Sequence, residues 1–502
     1  MDNNNLSRAK RVMNKNNSNI KYISVKLNVI FNIFNTICNL LYPLVTLPYV
    51  MRILSNDGIG RVYFFSSIAN YAVLLASFGI STYGIRAVAC VRNSSSELSK
   101  ISSELFSINV ITTFVICLCL ITSCFFVEKF SADKFLFCSS VVLFVLSPLS
   151  INWFYSGIEQ YRYITIRNII VKILGIILIF IFVKTKKDIF LYSWILTLCA
   201  SVTCIINFIY SFNFTSIKFT IKFNLQTHIK PLLLLFSSIL AVSIYTGLDT
   251  IMLGFLCSDS DVGIYVLASK VKWILLSLVN SVSVVLLPRM SNLLKRGAEN
   301  EYSCLLNKSI TLLLFITIPL TLFFTIEADD VIYLLGGKDF SSSVNCMRIL
   351  MPILIISGLS NITGNQILIP RGKDFCFFKA VCIGAIVNVI LNCALIPKYS
   401  AVGASIATLI AELAQFLVQL YFSRNYLRKT IQLNRFFKLF IASFFVSVIL
   451  VILKTTPIYL IFGMYTIFIV APLFFLIYFA LSFLIADRKL KQIFLDIITT
   501  RS

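Results

Sequence analysis

The sequence predicts an all-α polytopic membrane protein with about 14 transmembrane helices, two six-helix bundles with a pseudo-twofold repeat plus two extra C-terminal helices. Three observations predict this. The 502 residues are 58% hydrophobic, with a mean hydropathy of +0.90. The apolar residues fall in blocks of roughly twenty, long enough to cross the ~30 Å hydrocarbon core as helices. The 44 Lys+Arg, set against 21 Asp+Glu, crowd into every second gap between blocks, the pattern that orients helices in a bilayer. A soluble nucleic-acid binder of net charge +23 would spread its cations over a polar surface instead.

In chain order the expected spans are 27–50, 62–84, 105–127, 135–157, 164–183, 189–212, 231–257, 263–288, 309–327, 346–369, 375–396, 401–423, 436–453 and 457–485. Each is expected to be helical, because a backbone amide in hydrocarbon has no water to bond. The first span contains Pro43 and Pro48 and carries Asn28, Asn32, Asn35 and Asn39 at helical spacing. That stripe reads either as helix-packing glue or as a polar cavity face. Asp249 falls in the seventh span, Lys270 and Lys272 in the eighth, Asn388 and Asn392 in the eleventh, and Glu412 in the twelfth. No hydrophilic insert is long enough for a separate soluble domain. Residues 1–26 are rich in Asn and Lys and read as a cytoplasmic tail, not a cleavable signal peptide.

With both termini placed inside, the inside gaps hold about three times as many cations as the outside ones. Arg162, Arg167 and Lys172 belong to one inside group, Lys218, Lys222 and Lys230 to the next. One outside loop dissents, with Lys184, Lys186 and Lys187. Spans two and eight start and end alike: Gly60 precedes Arg86 by the same separation as Gly263 precedes Arg289. The expected organisation is therefore a tail over 1–26, a first bundle with its connecting loop over 27–230, and a second bundle over 231–423. Two appended helices and a cytoplasmic tail follow over 424–502. Repeats of this kind form transporters whose cargo site lies between the halves.

Enzyme chemistry finds little support. The fourteen cysteines sit in or beside apolar spans without a Cys-x-x-Cys pair, and read as packing residues rather than metal ligands or disulfides. The single histidine, His228, lies in an expected inside loop, so no zinc cluster or other catalytic centre can be built around several histidines. No cofactor, metal or nucleic acid is expected.

Three segments carry a family resemblance. The first is Thr46-Leu-Pro-Tyr-Val-Met-Arg-Ile-Leu-Ser-Asn-Asp-Gly-Ile-Gly60, continuing through Phe78-Gly79-Ile80 and Tyr83-Gly84-Ile85-Arg86. The second is Asp249-Thr-Ile-Met-Leu-Gly254 with Val262-Gly263-Ile264-Tyr265, Lys270 and Pro288-Arg289. The third is Ile396-Pro397-Lys-Tyr-Ser-Ala-Val-Gly403-Ala404-Ser-Ile-Ala407-Thr408. Together they resemble the polysaccharide-transporter branch of the multidrug/oligosaccharidyl-lipid/polysaccharide exporter superfamily, the Wzx-type O-antigen flippases. Where that family often has glycine after the tyrosine of the third segment, this chain has Ser400. The resemblance implies two helical bundles around a cavity that alternates its opening. It implies an undecaprenyl-diphosphate-linked oligosaccharide as cargo, moved from the inner to the outer leaflet of a bacterial inner (cytoplasmic) membrane. Membrane lipids, a polysaccharide polymerase and a chain-length regulator are the implied partners.

A diphosphate crossing a bilayer needs compensating cations, because an unpaired charge in low dielectric is very costly. Lys270 lies about 10 Å into its helix from Gly263, and Asp249 about 12 Å from the outer end of the preceding one. Two readings stay open for them. One is an internal ion pair; in the other Asp249 takes up a proton or Na⁺ and releases Lys270 to a phosphate. Lys272 is about 200° around the helix from Lys270 and is expected to snorkel or pack with Trp273. Arg52 after the proline-broken span, and Arg86 and Arg289 at matching inside exits, are either interfacial anchors or diphosphate contacts. Glu412 is a second candidate for ion coupling. The rival classes are a multidrug or cation antiporter of the same superfamily and a membrane polysaccharide polymerase.

Overall fold

The computed structural model describes residues 25–221, 225–427, 433–455 and 463–485. The expected cytoplasmic tails lie mostly outside these, in 1–24 and 486–502, as does the start of the last expected span. Among the described residues the regular elements are helices: α1 (Val25–Ser77), α2 (Ile80–Val91), α3 (Ser95–Phe126), α4 (Glu128–Ala132), α5 (Lys134–Leu146), α6 (Asn152–Gly157), α7 (Tyr161–Phe182) and α8 (Ile189–Ser211). Then come α9 (Leu225–Leu256), α10 (Asp259–Lys295), α11 (Glu299–Ile326), α12 (Ala328–Gly336), α13 (Ser343–Leu350), α14 (Ile353–Asn361), α15 (Asp374–Leu427), α16 (Leu433–Lys454) and α17 (Ile467–Ile485). Large apolar side chains face outward along most of them, to the point that Phe125 and Phe126 are 83% and 86% exposed. In a soluble protein such faces would be buried; here their solvent is lipid.

Twelve helices of the described residues are long and apolar enough to cross a membrane. Two of them are of double length. α1 breaks at Ser55 (φ 63°, ψ 170°), and α15 breaks at Ser400 (φ 47°, ψ −127°). Each half is long enough for a crossing of its own, so the twelve helices accommodate the fourteen spans. Ser400 stands where the family often has glycine, and its left-handed φ supplies the physical reason for that preference.

The expected second span is not one unbroken helix. It stops at Phe78–Gly79, where both residues have positive φ, and resumes as α2. A Cβ at Gly79 would meet the Leu232 carbonyl at 2.8 Å, so the break makes room for α9. The tenth span is also interrupted: α13 and α14 meet at Pro352, and a π-helical turn covers Ile362–Leu368. Between α7 and α8 a tight loop is closed by Asp188, whose carboxylate accepts from the backbone amides of Lys184 and Thr185. Those two bonds hold the acid below the usual carboxylate range.

The chain forms two compact units, residues 1–54 with 61–240, and residues 55–60 with 241–502. The first packs Val88, Leu105, Trp153, Phe154 and Tyr155 into its core. In the second, Val279, Tyr302, Leu306 and Ile362 do the same. α10 of the second unit begins with a reciprocal capping box between Ser258 and Asp261. Beside it the backbone of 55–60 approaches so closely that a Cβ on Gly263 would fall 2.0 Å from the Asn56 carbonyl oxygen. A Cβ on Gly60 would fall 1.7 Å from that of Asp259. The two glycines that echo one another in sequence thus permit one backbone contact. α16 and α17 belong to the second unit as well, with Phe474 against Phe323 and the Tyr478 hydroxyl donating to the Phe315 carbonyl at 3.1 Å.

Candidate functional site

The second unit buries a carboxylate. Asp249, two turns from the end of α9, is fully inaccessible. Its Oδ1 accepts from Asn392 Nδ2 at 2.6 Å and Asn388 Nδ2 at 3.2 Å; its Oδ2 accepts from Tyr265 Oη at 2.5 Å and Thr408 Oγ1 at 2.8 Å. These donors come from α10 and both halves of α15. The i, i+4 spacing of Asn388 and Asn392 puts both on one face of a helix, and the break at Ser400 lets the same chain return with Thr408. Four neutral donors satisfy the carboxylate without neutralising it, and Asn392 Oδ1 is left buried without a donor.

Beyond Asp249 the second half of α15 carries a buried polar stripe, Thr408, Glu412, Gln415, Gln419 and Ser423. At 1.5 Å per residue it runs about 22 Å, most of the hydrocarbon thickness. Gln415 Nε2 donates to Ser360 Oγ at 3.3 Å, and Ser360 and Thr363 both donate to Gln419 Oε1. Gln366, on the π-helical turn, donates to Ser283 at 2.7 Å. The π-turn therefore turns the Thr363 hydroxyl toward this stripe and the Gln366 amide toward α10, the kind of local irregularity that accompanies functional sites.

One cation joins the acids. Lys272 on α10 is 4% exposed and lies in the electrostatic field of both Asp249 and Glu412, itself 7% exposed. This differs from the expectation that Lys272 would snorkel while Lys270 faced inward. The hydrogen-bond donors to Asp249 are Tyr265, Asn388, Asn392 and Thr408, so Lys270 does not pair with it directly. Lys270 is half-buried, and Trp273, the expected packing partner of Lys272, is 48% exposed. Both faces of a membrane helix are apolar, so hydropathy does not reveal which one points inward.

Of the residues singled out by sequence, Asp249 and Glu412 come together around Lys272. Arg52 and Arg86 are exposed in the first unit, and Arg289 is exposed near the end of α10. Lys270 and Arg289 lie about 28 Å apart along one helix, too far to hold one diphosphate at once. Tyr265, Thr408 and Gln415 escaped the sequence reading as site residues, although a polar residue every three or four positions from 408 to 423 was there to be seen. In the first unit His228 sits in α9 rather than in a loop, with Nδ1 2.9 Å from Tyr83 Oη and Nε2 2.9 Å from Glu104 Oε2.

Comparison with known proteins adds the family. A family model described as "Polysaccharide biosynthesis protein" matches residues 25–294, more than half of the chain, and the MatE model matches residues 234–394. Two proteins named "Putative O-antigen transporter" are similar over nearly their whole length. The one from Escherichia coli (strain K12) is 23% identical over 410 residues, 81% of this chain and 98% of the relative. The one from Shigella dysenteriae is 28% identical over 391 residues, 76% and 96% respectively. Among solved structures, that of "Lipid II flippase MurJ, inward closed conformation" shares the fold. Its TM-score is 0.68 at 20% identity, over 91% of this chain and 98% of that one. These are transporters, not catalysts, and this chain stands with them. It belongs to the polysaccharide biosynthesis protein family, within the polysaccharide-transporter branch of the multidrug/oligosaccharidyl-lipid/polysaccharide exporter superfamily.

Proposed function

We propose that the protein is a flippase for an oligosaccharide carried on undecaprenyl diphosphate. It takes that cargo from the inner to the outer leaflet of a bacterial inner membrane by alternating access, with both termini cytoplasmic. The observation that carries this reading is the near-full-length similarity to the two O-antigen transporters. Arg52, Arg86, Lys270 and Arg289 are the proposed diphosphate contacts. The ~28 Å between the last two would make them successive stations rather than one clamp.

The charges of the second unit support ion coupling. Asp249, Glu412 and Lys272 are two acids and one base, all buried. A buried charge without a counter-charge is strongly unfavourable, so one acid is left for a proton or a monovalent cation to neutralise. Uptake at Asp249 or Glu412 would then shift the unit between two electrostatic states, which is what coupling an ion to a conformational cycle requires.

Deleting the gene tests the cargo. Lipid-linked oligosaccharide is expected to accumulate in the inner leaflet, and full-length Lys270→Ala protein should fail to restore export while Lys270→Arg restores most of it. Accumulation of single unpolymerised units in the outer leaflet would point to a polymerase instead. Full export by Lys270→Ala at normal protein level would remove Lys270 from the path.

A further inference from the structure

A groove of about 780 Å³ opens along the side of α7 and α8 in the first unit. Its inner wall holds Arg167, 6% exposed, whose guanidinium donates to the amide oxygens of Asn207, of Asn152 at 3.2 Å and of Asn168 at 2.8 Å. Tyr163 lies beneath it, with the guanidinium carbon 5.5 Å from the ring centre, and stacks on Tyr210 at 4.0 Å between centroids. Among the described residues no carboxylate contacts Arg167, and the groove lining contains a second arginine, Arg162, but no acid. The charge is hydrogen-bonded and still uncompensated, a costly state inside a membrane segment unless an anion shares the site.

The groove is also polarised along its length. Arg162, Ile166 and Ile170 follow one another at four-residue spacing from the first turn of α7, so its cationic end lies at the membrane boundary and its aliphatic end about 12 Å deeper. α8 runs the opposite way with the same gradient, from Ile206 through Tyr210 to Asn213 beyond its end. The aliphatic face does not stop at the groove: Ile173, Ile177 and Ile181 continue it, each 46% exposed or more. Such a stripe suits an acyl chain. A path for sugars would be polar instead.

We propose that this groove binds the phosphate headgroup of an anionic glycerophospholipid of the inner leaflet, with one acyl chain laid along the isoleucines of α7. Arg162 at the rim meets the phosphate directly, and buried Arg167 supplies the field that selects a negative headgroup. The leaflet follows from the positive-inside orientation. The site is separate from the residues proposed for diphosphate transport and does not depend on them.

Native mass spectrometry of the full-length protein, released from nanodiscs of equal phosphatidylglycerol and phosphatidylcholine, tests it. Wild-type protein should keep phosphatidylglycerol over phosphatidylcholine, and Arg162→Gln, a change at an exposed side chain, should lower that preference about fivefold, the effect of one cation near an anionic lipid. Arg296→Gln, an exposed cation of the second unit, should keep the wild-type preference. Equal retention of the two lipids by wild type would overturn the proposal, as would an unchanged preference in Arg162→Gln. If undecaprenyl diphosphate, added in place of phosphatidylglycerol, is the lipid whose retention alone depends on Arg162, the groove belongs to the cargo and the phospholipid assignment fails.

Discussion

In the first unit the buried, unneutralised charge is a guanidinium held by amide oxygens; in the second it is a carboxylate held by amide and hydroxyl hydrogens. The surroundings are of one kind, asparagines and a tyrosine on neighbouring helices, yet the sign is reversed. The first unit has a buried acid too, Glu104, with its Oε2 2.9 Å from His228 Nε2. The second has Lys272 but two acids for it. Two units of similar helical build thus differ, through a handful of side chains, in the sign of the charge they bury among neutral partners.

The largest expected effect comes from unbalancing the second unit. Lys272→Met leaves two buried acids without a base and should destabilise the protein by about 3 kcal/mol at neutral pH, the usual result of removing one member of a buried charge set. Thermal unfolding in detergent reads this, and adding Glu412→Gln should recover most of the loss. If the double variant is no more stable than the single one, Lys272 does not answer to Glu412 and the contrast between the units loses its basis.

Next in size is the matching change in the first unit. Asn207→Leu strips Arg167 of an acceptor and should cost about 2 kcal/mol, the range for a hydrogen bond to a charged group. A loss as small as that of an exposed substitution would mean that the guanidinium is held by something other than its amides. The smallest effect is at the backbone. Ser400→Gly relieves a left-handed residue in the middle of α15 and should stabilise the second unit by about 1 kcal/mol. A destabilised variant would show that the Ser400 side chain contributes more than its conformation costs.

Much of this was legible in the sequence because lipid imposes simple rules. Span lengths and the side on which cations gather follow from bilayer thickness and the positive-inside bias. Ser55 and Ser400 fall in the gaps between expected spans, where the long helices break. Asp249, Glu412 and the Asn388–Asn392 pair stood out because polar groups at membrane depth are expensive. What was hidden is rotation about a helix axis. Lys270 and Lys272 are two residues apart, and hydropathy, which is high on the lipid face and on the core face alike, could not say which turned inward. Arg167 was concealed differently: it sits among cations that orient the helices, and nothing in its spacing marks it as buried. The Gly79 break was invisible for a third reason, since it is set by the approach of Leu232, distant in sequence.

The role proposed for the acids of the second unit is to answer to an ion. It is tested most directly by reconstituting wild-type, Asp249→Asn and Glu412→Gln protein in liposomes with a lipid-linked oligosaccharide and imposing a proton or Na⁺ gradient. One of the two gradients should speed wild-type flipping by 5- to 150-fold, the range of typical coupling free energies. At least one of Asp249→Asn and Glu412→Gln, each of which keeps the shape of the side chain but not its charge, should flip at one rate with or without the gradient. A gradient response equal to that of wild type in both variants would contradict ion coupling at these acids.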